Sequence, residues 1–188
     1  MFWGDEMNFV EPIRDPDKVE DIAEYLKFKN ERNYIMWMMG IYSGLRISDI
    51  LKLKVRDVKN KQHIILREMK TGKQRIFEIN PILKKALAEY CEDKDLNDYL
   101  IKSRQGFNKP ITRSMAYKIL RDAAKKFNVE SMGTHTMRKT FGYHFYMQTK
   151  DVVTLMKIFN HSDQSTTLRY IGIEQQAINE AIKKFKIF

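Results

Sequence analysis

The stretch NYIMWMMGIYSGLRISDILKL, residues 33–53, reads as two helices separated by a break. From Tyr34 to Tyr42 apolar residues fall on almost every side, which predicts a helix enclosed by others at the centre of a core. Gly44 supplies the left-handed conformation that ends such a helix, and RISDILKL restarts one. Arg46 therefore falls at a helix-to-helix junction, beside backbone N–H groups rather than in the middle of a helix face. The methionines of IMWMMG read as packing, not as a metal or cofactor box.

A helix that is apolar all round requires neighbours, and the flanking sequence supplies them. Upstream, DPDKVEDIAEYLKFKN (residues 15–30) has acidic residues early, Lys late, and Val19, Ile22 and Leu26 at helical spacing; residues 1–15 read as a leader. Downstream, QHIILREMKTGKQRIFEIN (62–80) is two β-rich runs around KTGK, a hairpin turned by Gly72 with Lys70 and Lys73 near its tip. Asn80 and Pro81 then open the helix PILKKALAEYC, followed by a polar loop to about residue 110. Thr112 caps RSMAYKILRDAAKKF, and Thr134 caps a helix that begins at His135. DVVTLMKIF stops at Asn160, which tolerates the left-handed conformation, and Ser162 caps a further turn or two leading to Tyr170. The tail, 174–188, carries a stripe of Ala177, Ile178, Ala181, Ile182 and Phe185. The expected fold class is mainly α with one small antiparallel β-sheet, an α+β domain over residues 16–173 with a helical tail.

At 188 residues the chain suits one well-filled core. Hydrophobic residues at 43% and charged residues at 31% describe a globular chain, and no apolar run reaches the roughly 18–20 residues of a membrane span. The opening MFWGDEMNF lacks a secretory layout. Cys91 is the one cysteine, which excludes an internal disulfide, suits a reducing cytosol and reads as a small buried hydrophobe. The net charge of +10, spread along the chain, favours a polyanionic partner tracked by a folded surface.

The chemistry gathers in two stretches. In HTMRKTFGYHF (135–145) an imidazole and a guanidinium stand at i and i+3, neighbours on one helical face. In NHSDQSTTLRY (160–170) His161 precedes Tyr170 by nine residues. Each residue alone has a bland reading as a solvated or core side chain. Together with Arg46 and Lys70 they form an ordered set. SGLRISDILKLKVRDV is similar to the first-arginine motif of the tyrosine recombinases, the phage-integrase family. HTMRKTFGYHF resembles that family's His-x-x-Arg motif, and IFNHSDQSTTLRYIGI resembles the segment in which a His or Trp precedes the nucleophilic tyrosine. Lys70 falls where the family has its hairpin lysine. The four motifs come in order across roughly residues 35 to 175.

The physical case for this set is direct. Cleavage of a phosphodiester by a hydroxyl gathers negative charge on the non-bridging oxygens, so the fixed forks of Arg46 and Arg138 would each contribute a few kcal/mol, by comparison with roughly 2.7–4 for an oxyanion-hole donor. A phenol of pKa about 10 is a weak nucleophile until its proton is drawn off, and His135 is the candidate to take it. The resemblance implies that Lys70 protonates the departing 5′ oxygen and that His161 hydrogen-bonds the phosphate or packs beneath it. It also implies a 3′-phosphotyrosine intermediate that needs neither metal nor ATP, with no cofactor. The expected partner is double-stranded DNA, held by Arg46, Lys70, Lys73, Arg138 and Lys139, with two to four subunits assembled on it. The expected setting is cytoplasmic, for a bacterial or phage-encoded protein associated with the nucleoid and not with a membrane.

Rival readings stand beside these. Lys73 competes with Lys70 as the hairpin lysine. Tyr143 and Tyr146 lie in an apolar run and read as core, His144 reads as structural, and His63 begins a strand with no evident partner. Asn160 stands where the family usually has Gly. The resemblance implies an N-terminal helical domain before such a catalytic domain, and the expectation is that this chain lacks it. The tail packs either on its own core or in trans on a neighbouring subunit. A type IB topoisomerase would share the chemistry without pairing sites, and a non-catalytic DNA-binding accessory would have no need of Tyr170. DPD and EDKD offer no converging carboxylate set for a metal nuclease.

Overall fold

The computed structural model describes residues 10–67, 74–129, 132–133 and 135–186. The first helix, α1, spans Pro16–Lys29 and is opened by the Asp15 carboxylate, which accepts from the Asp17 N–H. Asn30 serves two helices at once: its backbone N–H closes α1 on Leu26 O, and its side chain accepts from Arg32 N–H to open α2, Glu31–Ser43. Helix α2 is the centre of the molecule, with Ile35, Met36, Trp37 and Met39 wholly buried. It ends at Gly44 in the left-handed conformation, φ 63°, where a Cβ would stand 2.4 Å from the Phe141 ring. The restart expected after Gly44 is a single turn, α3, Ile47–Ile50, with Arg46 at its N-cap position.

A 3₁₀ turn at Val55–Asp57 leads into β1, His63–Arg67, which pairs antiparallel with β2, Gln74–Glu78. The pleat turns Ile64 and Phe77 into the core and leaves Ile65 and Ile76 outside. The hairpin tip, with Lys70, Gly72 and Lys73, lies outside the described residues. The register sets His63 opposite Glu78, and their side chains pair at 2.6 Å, so His63 has the partner that the sequence did not reveal. Asn80 caps α4, Pro81–Cys91, through the Ile82 N–H, and Thr112 caps α5, Arg113–Lys126, through the Met115 N–H, both as expected. Cys91 is fully buried.

Helix α6, Thr136–Thr149, crosses α2 so closely that a Cβ on Gly40 would sit 2.6 Å from the Met137 Cβ. His135 occupies its N-cap position; Thr134, the expected cap, lies outside the described residues. Lys150 ends α6 in the left-handed conformation, and Asp151 caps α7, Val152–Phe159. The next helix, α8, Gln164–Tyr170, corrects one expectation: its cap is Asp163, which accepts from the Thr166 N–H, while Ser162 donates its hydroxyl to that same carboxylate. Gly172, φ 75°, turns the chain into α9, Ile173–Lys184. A second, smaller core of Tyr143, Leu155, Phe159 and Ile171 joins α6, α7 and α8. The leader end docks on α6: Ile13 N–H donates to Thr140 Oγ1 and His144 Nε2 hydrogen-bonds Ile13 O, each at 2.9 Å, which gives His144 its structural role.

Candidate active site

Five helix ends converge where α2, α3, α6, α7 and α8 meet. The left-handed turn at Gly44 aims its carbonyl at α6, and Arg138, one turn into α6, donates Nη1 to Gly44 O and Nη2 to Phe159 O, the latter at 2.8 Å. One guanidinium thus ties the end of α2 to the end of α7. It lies 4.1 Å over the Phe159 ring and is 2% exposed. Burial, against the opposing pull of Tyr170, brings its pKa down to about 10, so it stays charged at neutral pH. Arg46 is exposed at the start of α3, and its charge bears on His135, Arg138, His161 and Tyr170 together.

Tyr170 is the last residue of α8. Its hydroxyl stands 3.2 Å from His135 Nδ1, a hydrogen-bonding distance at which a neutral imidazole accepts from the phenol. Its ring is walled by Phe159 at 5.4 Å, by His161 at 5.2 Å, and by the Lys139 ammonium at 5.1 Å from its centroid. Burial raises the Tyr170 pKa, while the charge and hydrogen bond of Arg138 and the charge of Arg46 pull it back. The phenol therefore keeps its proton at rest. The His135 pKa is lowered, first by desolvation and then by Arg138, Lys139, Arg46 and Arg113, so at neutral pH the ring is uncharged and has a lone pair to offer.

His161 follows the α7 stop, where Asn160 is left-handed, φ 55°, as its side chain allows. Its Nδ1 lies 3.0 Å from Thr167 Oγ1, and Thr167 in turn hydrogen-bonds Asp163 O at 3.2 Å. The Asp163 carboxylate is held well below the usual range, chiefly by the backbone and hydroxyl of Thr166 and then by Ser165 and Ser162. The cap that starts α8 thus also supports the histidine facing its last residue.

Of the residues expected from sequence, Arg46, His135, Arg138, His161 and Tyr170 share this one site. Lys70 and Lys73 lie outside the described residues. Lys139, expected on DNA, is only 7% exposed and stands inside the wall beside the tyrosine. Tyr143 is buried, and Tyr146 packs against the smaller core. Sequence reasoning missed Phe159, the platform shared by Arg138, His161 and Tyr170, because a helix-terminal Phe carries no signal beyond hydrophobicity. It also missed Thr167.

Residues 14–177 match the model of the phage integrase family. The chain is 49% identical over 179 residues to the probable integrase/recombinase YoeC of Bacillus subtilis (strain 168), covering 95% of this chain and 98% of that protein. It is 32% identical over 179 residues to the probable integrase/recombinase of Acholeplasma phage L2, covering 90% of this chain but 60% of that longer one. The crystal structure of XerA recombinase superposes with a TM-score of 0.75 at 25% identity, over 93% of this chain and 64% of that one. Family model, sequence relatives and fold agree, and the chain belongs to the phage integrase family.

Proposed function

We propose that the chain is a tyrosine-type site-specific recombinase that cuts and rejoins DNA through Tyr170. The observation that carries this is the Tyr170 hydroxyl 3.2 Å from a histidine of lowered pKa, in a shell containing Arg138 and under the charge of Arg46. Tyr170 gives its proton to His135 as its oxygen bonds to phosphorus, and the bond from phosphorus to the 5′ oxygen breaks. Arg46 and Arg138 hold the non-bridging oxygens as charge builds on them. The family resemblance gives Lys70 the task of protonating the 5′ oxygen. The 3′-phosphotyrosine keeps the ester, so a second 5′ hydroxyl reverses the step and strand exchange requires no metal or ATP. Such chemistry belongs in the cytoplasm, at the nucleoid.

The same reading includes assembly of two to four subunits on DNA. None of the α9 residues is buried, and Ile178, Ile182 and Phe185 are 51%, 69% and 68% exposed. A groove of about 590 Å³ between α1, α2 and α6 has Val19, Ala23 and Met38 in its wall and Glu20 and Glu24 among its lining residues. Its apolar wall and acidic residues suit the tail of a partner copy, which carries Lys183 and Lys184 beside those apolar residues.

The test is covalent capture. A pool of nicked duplexes with randomised cores, incubated in EDTA, is resolved on denaturing gels, and the DNA of any protein adduct is sequenced. Adducts on a recurrent sequence, lost in Tyr170→Phe, are expected. Adducts that persist in that variant, or that need Mg²⁺, reject the proposal; relaxation of plasmid at any sequence favours a topoisomerase.

A further inference from the structure

The end of α7 leaves four carbonyls without helical partners. Two are met by backbone. His161 N–H donates to Met156 O at 3.0 Å and Asn160 N–H to Lys157 O at 3.1 Å, a Schellman turn through the left-handed Asn160. The other two are met by guanidinium groups. Arg138 takes Phe159 O, and Arg75 donates Nη2 to Ile158 O. Arg75 comes from outside the helical part of the site, on β2 opposite Leu66, with its guanidinium 4.8 Å over the buried Phe77 ring. It is near enough that, after burial and alongside Arg46, its charge helps to depress the Arg138 pKa.

We propose that Arg75 is a positioning residue for DNA cleavage, holding Ile158 O so that the end of α7 presents Phe159 and His161 to Tyr170. Two cations at adjacent carbonyls fix the last turn of α7 and offset the negative end of its dipole. Without Arg75, the part-buried Ile158 carbonyl loses its charged donor, and the turn through Asn160 keeps its two backbone bonds but only Arg138 of the two guanidinium groups. His161, directly after that turn, then loses its register against Thr167 and Tyr170. Arg75 thereby links the β-hairpin to the end of α7, which walls the nucleophile.

This rests on Tyr170 being the nucleophile, so two kinds of readout are needed. With a duplex recovered by covalent capture, single-turnover adduct formation is measured at saturating DNA, and DNA affinity separately, for Arg75→Ala, Arg75→Gln, Arg75→Lys, His161→Ala and the Arg75→Ala/His161→Ala double variant. Arg75→Ala should slow adduct formation about tenfold, the scale of a small misplacement, with affinity changed less than about twofold. Arg75→Lys should recover most of the rate, and in the His161→Ala background the loss should shrink to under about threefold, because the two residues act in series. A wild-type rate in Arg75→Ala overturns the proposal. So does a loss of affinity equal to the loss of rate, which makes Arg75 a DNA contact, or an equal loss in both backgrounds. Amide hydrogen exchange at residues 156–161 is independent of activity: Arg75→Gln should exchange faster there than wild type, and unchanged protection refutes the positioning role even if no adduct forms in any variant. Absence of adduct from wild type itself tells against the nucleophile reading instead.

Discussion

Gly142 is where α6 meets the floor of the site, and replacing it with Ala sets two effects in opposition. A Cβ there would stand 2.6 Å from Phe159 Cζ, 2.7 Å from Phe159 Cε2 and 2.7 Å from Ile171 Cγ2. Carbon atoms rest at about 3.5–4.0 Å, so the ring or the helix must retreat by roughly 1 Å. The ring has little room: Arg138 lies 4.1 Å above it, and His161 and Tyr170 have ring centroids 5.3 and 5.4 Å away. Overpacking of this kind costs about 1–3 kcal/mol, while Ala in place of Gly inside a helix returns up to about 1 kcal/mol. With the full helix gain taken off, the net is a loss of about 0–2 kcal/mol, or up to about 8 °C in Tm for a chain of this size. The larger effect is on chemistry, because the displaced atoms carry the walls of Tyr170, and a shift of about 1 Å can cost on the order of a hundredfold in rate. Thermal melting and single-turnover adduct formation should therefore fall together. A variant that melts higher than wild type and still cleaves at the wild-type rate would refute the close packing at this crossing.

Three further outcomes follow from the same geometry. Arg138→Lys keeps a charge but cannot reach both Gly44 O and Phe159 O, so it should lose about 1–3 kcal/mol in urea unfolding as well as most of its cleavage, whereas Tyr170→Phe should lose cleavage alone; equal stability of the two variants counts against the clamp. His135 and His161 both have lowered pKa values, so below about pH 6.5 the unfolded chain binds more protons than the folded one and stability must decrease as pH falls; His135→Gln/His161→Gln should flatten melting curves between pH 5 and 7 on that scale, and an unchanged slope tells against burial as the cause. Truncation after Ile173 removes a helix with no buried residue, so unfolding free energy should change by less than about 0.5 kcal/mol while cooperative assembly on paired DNA sites is lost; assembly that persists rejects trans docking of the tail.

Much of the fold was legible because local signals coincided with tertiary demand. The central helix, its glycine stop, the caps at Asn80 and Thr112, and the hairpin each followed from a few adjacent residues. The cap of α8 was misread because Ser162 and Asp163 are both good caps and adjacent; the longer reach of the carboxylate and its three hydroxyl donors decided for Asp163. The His63–Glu78 pair depends on strand register, which the sequence leaves open until the turn length is known. Lys139 shows a different limit. Its position on α6 was plain, but whether its ammonium met solvent or the Tyr170 ring depended on how α8 packs across α6. Arg75 was hidden for the same reason, since its acceptor lies 83 residues away in the chain.

On the proposed function, Arg138 accounts for how such a site would stand ready without DNA. A buried guanidinium ordinarily requires a carboxylate, yet Arg138 donates to backbone carbonyls at the ends of α2 and α7 and bonds the neutral hydroxyl of Tyr170. Those ends carry the negative pole of each helix, about half a charge apiece, which offsets a large part of the cation without presenting a full anion. A carboxylate in their place would neutralise Arg138 and compete with the substrate for it. Carbonyls leave the net charge positive, and a guanidinium has several N–H donors to divide between them, Tyr170 and an anion. Holding the helices together and awaiting a phosphate are therefore compatible tasks for one side chain, and stability and catalysis should decline together when the fork is altered.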